Sequence, residues 1–212
     1  APMKKAYSLR GQLTVVCIGL VTVPVMALGF ISILTSMNVM DKFVGAHLQE
    51  QSLMITNDIK TAIELNQRKV GSNLKVAHEI FYEQGNPVLS PDEMLEMDAV
   101  DQFTLEGKKV RIPAMMIDNK KIAFSYDIVD RVQQLTGGTV TIFQMIPDGA
   151  LRISTNVLNA DGKRALGTYI PGSSPVYKAV SQGSPYYGRA FVVNQWRQTA
   201  YEPIKDGLGN VI

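Results

Sequence analysis

The chain has 212 residues, enough for one domain of ordinary size with a helical appendage, and its 46% apolar content excludes a disordered or fibrous chain. The net charge of +2 is unevenly placed: Lys4, Lys5 and Arg10 precede Asp41, the first acid, and with those three set aside 18 basic side chains face 19 acidic ones. The part that follows is not basic and gives no reason to expect a nucleic-acid partner.

Residues 13–35, "LTVVCIGLVTVPVMALGFISILT", carry no charge and are numerous enough to cross a hydrocarbon core of roughly 30 Å as a helix. A cleavable signal peptide also has a basic flank, but its apolar stretch is shorter, about 7 to 15 residues, and this run continues into an amphipathic helix. Pro24 lies in the middle of the span, where membrane helices tolerate it. The basic flank 1–12, against a single Lys42 beyond the span, predicts a cytoplasmic N-terminus, a transmembrane helix over 13–35 and an extracytoplasmic remainder, 36–212. The only cysteine, Cys17, falls inside the span, so no internal disulfide and no cysteine metal cluster is expected.

Apolar residues at Leu48, Ile55, Ile59, Ile63, Val70, Leu74, Ala77 and Phe81 recur at helical spacing and predict a long helix that gives out at "QGNP", residues 84–87. Asn66 and Asn73, seven apart beside the stripe, either set the register of paired helices or lie on a solvated face. His47 and His78 read as surface residues, with no metal-ligand spacing around them. "SPDEM" offers Ser90 as a cap, Pro91 at the first helical position and Glu93 in capping-box register, predicting a short helix to about Met97. "KKVRIPAMMIDNKKIAFSYD" predicts two strands turning at Asp118 and Asn119, with Pro113 at an edge or bulge. Ser125 is placed to cap a helix carrying Ile128, Val129, Val132 and Leu135, which Gly137 and Gly138 end.

"TVTIFQMI", "GALRISTNV" and "ALGTYI" read as strands, and Ser174, Pro175 and Gly183 bracket a short helix. "GRAFVVNQWRQTAYEPI" predicts a tight hairpin, and "KDGLGNVI" turns toward a further strand that the sheet needs to close, the pattern expected of a chain truncated before its last strand.

Taken in order and spacing, "TVTIFQ", "RISTNV", "DGKRALGTYI", "SPVYKAV", "YYGRAFVVNQW" and "TAYEPIKDGLGNVI" resemble the single Cache domain, of the Cache 3 and Cache 2 fusion type, found in bacterial chemoreceptors and sensor kinases. The resemblance covers roughly 36–212 and implies an α+β fold in which a long N-terminal helix packs on a PAS-like antiparallel sheet. It implies a periplasmic sensor domain in the bacterial inner membrane, a small-molecule pocket beside the sheet, a homodimer formed through the long helix, and a second span, HAMP linker and cytoplasmic output. That output is a methyl-accepting chemotaxis domain or, alternatively, a histidine kinase or cyclic-dinucleotide enzyme.

An arginine among apolar strand residues is costly to bury without an acceptor, and its planar fork matches a carboxylate, so Arg189 and Arg152 are the candidate cations for an anionic metabolite. Trp196, Tyr177, Tyr187 and Tyr201 are candidate aromatic walls, and Asn194 a candidate polar contact. No P-loop, nucleophile elbow, HExxH or Rossmann fingerprint occurs, and no catalytic set, metal site or cofactor is expected. A membrane-anchored scaffold that binds no ligand is the competing class.

Overall fold

A computed structural model describes residues 9–212, apart from the side chain of Gln12. Lys4 and Lys5, which carry most of the orientation argument, lie outside the described residues. The described chain divides into two compact units, with the boundary between Lys60 and Thr61.

Helix α1 runs over Leu9–Glu83 with Pro24 inside it. Its N-terminal part contains the one helix stretch among the described residues long and apolar enough to cross a membrane, and none of that stretch is buried in the protein. The helix ends as the sequence predicts: Gly85 adopts φ 119° and its N–H donates to the Tyr82 carbonyl at 3.1 Å.

The second unit is built on a sheet in the order β3-β2-β1-β6-β5-β4, with β1 at Val88–Asp101, β2 at Gly107–Ile117, β3 at Lys120–Lys121, β4 at Thr141–Ile146, β5 at Gly149–Thr155 and β6 at Thr168–Pro171. All pairings are antiparallel except β1 with β6, which run parallel over Val100–Asp101 against Thr168–Tyr169. The helix predicted over Ser90–Met97 is instead the first half of β1. The register jumps from Ser90 opposite Ala114 to Met94 opposite Pro113, so Pro91, Asp92 and Glu93 are accommodated in a bulge. Alternation wins over the capping signal, because Leu95, Met97 and Ala99 turn inward while Glu96 and Asp98 face water. Pro113 sits opposite the bulge, as a strand proline should.

Helix α2, Asp127–Thr136, begins at Tyr126 with no side-chain cap. The expected cap, Ser125, uses its carbonyl to accept the Ser154 hydroxyl, and Asp127 and Asp130 in the first turn favour the helix start by their charge. Ile128, Val129 and Val132 are buried, whereas Leu135, expected in the same stripe, is 65% exposed. Helix α3, Pro175–Ser181, follows its predicted punctuation: the Ser174 hydroxyl accepts the Val176 N–H, and Pro175 opens the first turn. A separate two-stranded sheet pairs β7, Tyr186–Val192, with β8, Gln195–Tyr201. Its turn holds Val193 at φ 42° and Asn194 at φ 67°, a conformation that a β-branched residue rarely adopts. Beyond β8, "KDGLGNVI" forms a turn in which Asp206 accepts the N–H groups of Leu208 and Asn210, closed by a single bridge from Lys205 to Val211.

The sheet separates two cores. Ile80 and Phe81 of α1, Val129 and Val132 of α2, and Leu151 and Ile153 of β5 belong to the larger one. Ala150, Ile170, Val176 and Ala190 form the smaller one, with Phe143, Met145, Tyr177, Tyr186 and Tyr201 packed against it. Asn73 is half-buried and lies beside Gly138, where an added methyl would stand 2.6 Å from its amide nitrogen, whereas Asn66 is exposed.

Candidate ligand cavity

Alternation along β4 and β5 decides what faces the smaller core. Ile142, Gln144 and Ile146 are fully buried, Phe143 and Met145 project the other way, and on β5 Ala150 joins them while Leu151 does not. Helix α3 supplies Val176, Tyr177 and Val180 as one wall of a cavity, and Tyr201 with the segment after it supplies another. Phe81, Tyr82 and Ile142 line it as well, so the cavity reaches both sheet faces by passing the outer edge of β4, which has no strand partner among the described residues. The centres of water-sized spheres have about 120 Å³ to occupy, room for a small metabolite. Its lining is apolar except for tyrosine and threonine hydroxyls, a histidine and a glutamate. Those two, His78 and Glu202, face each other with Nδ1 2.7 Å from Oε1.

Beneath this lining lies Arg152, 1% exposed. One Nη donates to the Ala165 carbonyl at a long 3.5 Å, the buried Nε–H meets no acceptor, and no carboxylate pairs with the guanidinium among the described residues. Its Cζ stands 5.3 Å from the centre of the Phe143 ring, its partner across the β4–β5 ladder. Loss of water lowers the Arg152 pKa to about 10, partly opposed by Tyr201, while burial raises the Tyr201 phenol. The guanidinium therefore stays protonated at neutral pH and carries a charge that the fold does not neutralise.

The structure brings three of the seven expected residues together: Tyr177 and Tyr201 line the cavity and Arg152 underlies it. The other four lie elsewhere. Tyr187 is 53% exposed, with its ring beside Gly71 of α1. Arg189, Asn194 and Trp196 are exposed, and Arg189 stacks over Trp196 at 5.7 Å in an outer aromatic patch with Phe191 and Phe103. Hairpin alternation explains this, because Ala190 and Val192 take the inward face and leave Arg189 and Phe191 outward. Sequence reasoning missed Phe143 and Met145; in "TIFQMI" both alternating sets are largely apolar, so periodicity alone could not tell the cavity face from the core face.

The domain is α+β, with a long helix on one side of its sheet and an apolar cavity over a buried cation that has room for a small molecule. The model of the Cache 3/Cache 2 fusion domain matches residues 35–212, and the chain belongs to that family. Domains of this family are extracellular small-molecule sensing modules and not catalysts. No curated protein and no solved structure matches the chain.

Replacing Arg152 by Met removes an unneutralised buried charge, so the unliganded protein should keep its stability or gain up to about 3 kcal/mol in denaturant unfolding at pH 7. The sign follows from linkage: a base with a lowered folded pKa carries a constant penalty below about pH 10, relieved only as pH rises from there toward its unfolded value. The difference between wild type and Arg152→Met should therefore be flat from pH 6 to 9. A loss of more than about 2 kcal/mol in the variant would mean that the charge is neutralised within the fold.

Proposed function

We propose that the chain is the sensing portion of a bacterial transmembrane chemoreceptor, that residues 13–35 span the inner membrane with 36–212 outside, and that the sensed metabolite is a carboxylate. The observation that carries the ligand reading is Arg152, buried under an apolar cavity with no carboxylate of its own. Arg152, Tyr177 and Tyr201 are the proposed contacts. The dimer is formed through α1, where Leu48, Ile55 and Ile59 each leave more than half of their surface exposed.

Strand β8 supports a route from cavity to helix. Tyr201 turns into the cavity, while the Gln198 amide donates to Gln67 of α1 at 2.5 Å and Gln67 donates to the Thr199 carbonyl at 3.3 Å. Glu202 pairs with His78, and the Tyr82 hydroxyl accepts the Lys205 N–H at 3.1 Å. A ligand that favours one position of Tyr201 thereby favours one arrangement of β8 against α1, which is the condition for a signal.

Location is checked with cysteines in intact cells. A membrane-impermeant maleimide should label the Ser72→Cys variant and leave Cys17 unmodified in the wild type; a membrane-bound Ser72→Cys variant that takes up no label would place the domain on the inner side. Coupling is checked by amide exchange on the full chain in nanodiscs, with saturating benzoate as a small acid that the cavity can admit. Exchange should slow in β8 and also in residues 67–82 of α1, and protection confined to β8 would contradict the route.

A further inference from the structure

We propose that the cavity selects a monocarboxylic acid with an apolar body, such as a short branched-chain or aromatic acid, over free amino acids and dicarboxylates. This deepens the sensing reading above and rests on Arg152 as its anion contact.

The argument is a count of charges against walls. An arginine fork accepts one carboxylate in two parallel hydrogen bonds, and Arg152 is the only buried arginine or lysine among the described residues. A second carboxylate would enter an apolar space with no cation free to receive it. An ammonium group would need an acidic partner, and the one acidic residue in the lining, Glu202, would have to leave His78 to supply it. A second carboxylate would lose its water without compensation and an ammonium with little, and unpaired buried charge is a strong discriminator in a small site. The remaining walls, Phe143, Met145, Ile170, Val176 and Tyr177, reward an apolar body instead.

Geometry adds a gating element. Arg152 does not itself line the cavity; Phe143 and Tyr201, which do, lie against it with their ring centres 6.1 Å apart. A carboxylate reaches the guanidinium only as the Phe143 or Tyr201 ring gives way, and Tyr201 is on the strand tied to α1.

The test is calorimetric titration of the full chain in detergent with benzoate, pentanoate, benzamide, succinate and leucine, on wild type and Arg152→Met. Benzoate or pentanoate should bind at least tenfold more tightly than benzamide, succinate or leucine, and Arg152→Met should abolish the preference of acid over amide. Succinate or leucine binding as tightly as the monoacids overturns the selectivity and leaves small-molecule sensing standing. Undiminished benzoate affinity in Arg152→Met removes the anion contact. If none of the five binds to protein that still melts cooperatively, the selectivity and the carboxylate reading fall together.

Discussion

Arg152 is held at 1% exposure on a strand that cannot move aside, and its Nε–H is left without an acceptor. Every residue of β5 from Gly149 to Thr155 is buried, and a methyl group on Gly149 would run into the carbonyl oxygen of Ile170 on β6. The strand is thus locked between neighbours at a spacing that admits no side chain there, and the guanidinium cannot reach water by a small adjustment. A long, weak contact to the Ala165 carbonyl and the face of Phe143 recover only part of the lost hydration. The proposed ligand would supply the acceptor that the fold itself does not give this charge.

The rest of the domain places that charge where it can be read. The sheet keeps Leu151 and Ile153 in the larger core with α1 and α2, so the alternate positions of the same strand, Ala150 and Arg152, face α3 and β8. Strand β8 is two-sided in the same sense: Tyr201 belongs to the cavity, while Gln198, Thr199 and Glu202 are tied to Gln67 and His78 of α1. These ties are partly exposed and individually weak, worth about 0 to 1 kcal/mol for a pair such as His78 with Glu202. Ties of this size fall within what a few kcal/mol of differential ligand binding could rearrange.

Much of this was legible because it is written locally. Gly85 and Pro87 end α1, Asp118 and Asn119 make the turn between β2 and β3, and Ser174 with Pro175 opens α3, each through a backbone preference the residue itself carries. The failures came where a local signal competed with a partner distant in sequence. Ser90, Pro91 and Glu93 spell a helix start, but pairing with β2 along the whole of β1 outweighs one capping box. Ser125 is a good cap residue, but the helix starts one position later, at Tyr126. In the site, a buried arginine was expected and Arg152 is one, yet Arg189 in an equally apolar strand faces outward, because the choice of face belongs to the tertiary fold.

In the proposed site, the Arg152 guanidinium is the group that receives the ligand's carboxylate. Nitrogen-15 NMR of the arginine side chains, assigned by loss of one Nε–H resonance in Arg152→Met, observes that group directly. On that reading the Arg152 Nε–H resonance moves downfield and becomes protected from exchange as benzoate is added, while the exposed Arg189 and Arg197 are unaffected. An Arg152 resonance that stays in place while benzoate binds, or one already shifted as in a carboxylate pair before any acid is added, would contradict it.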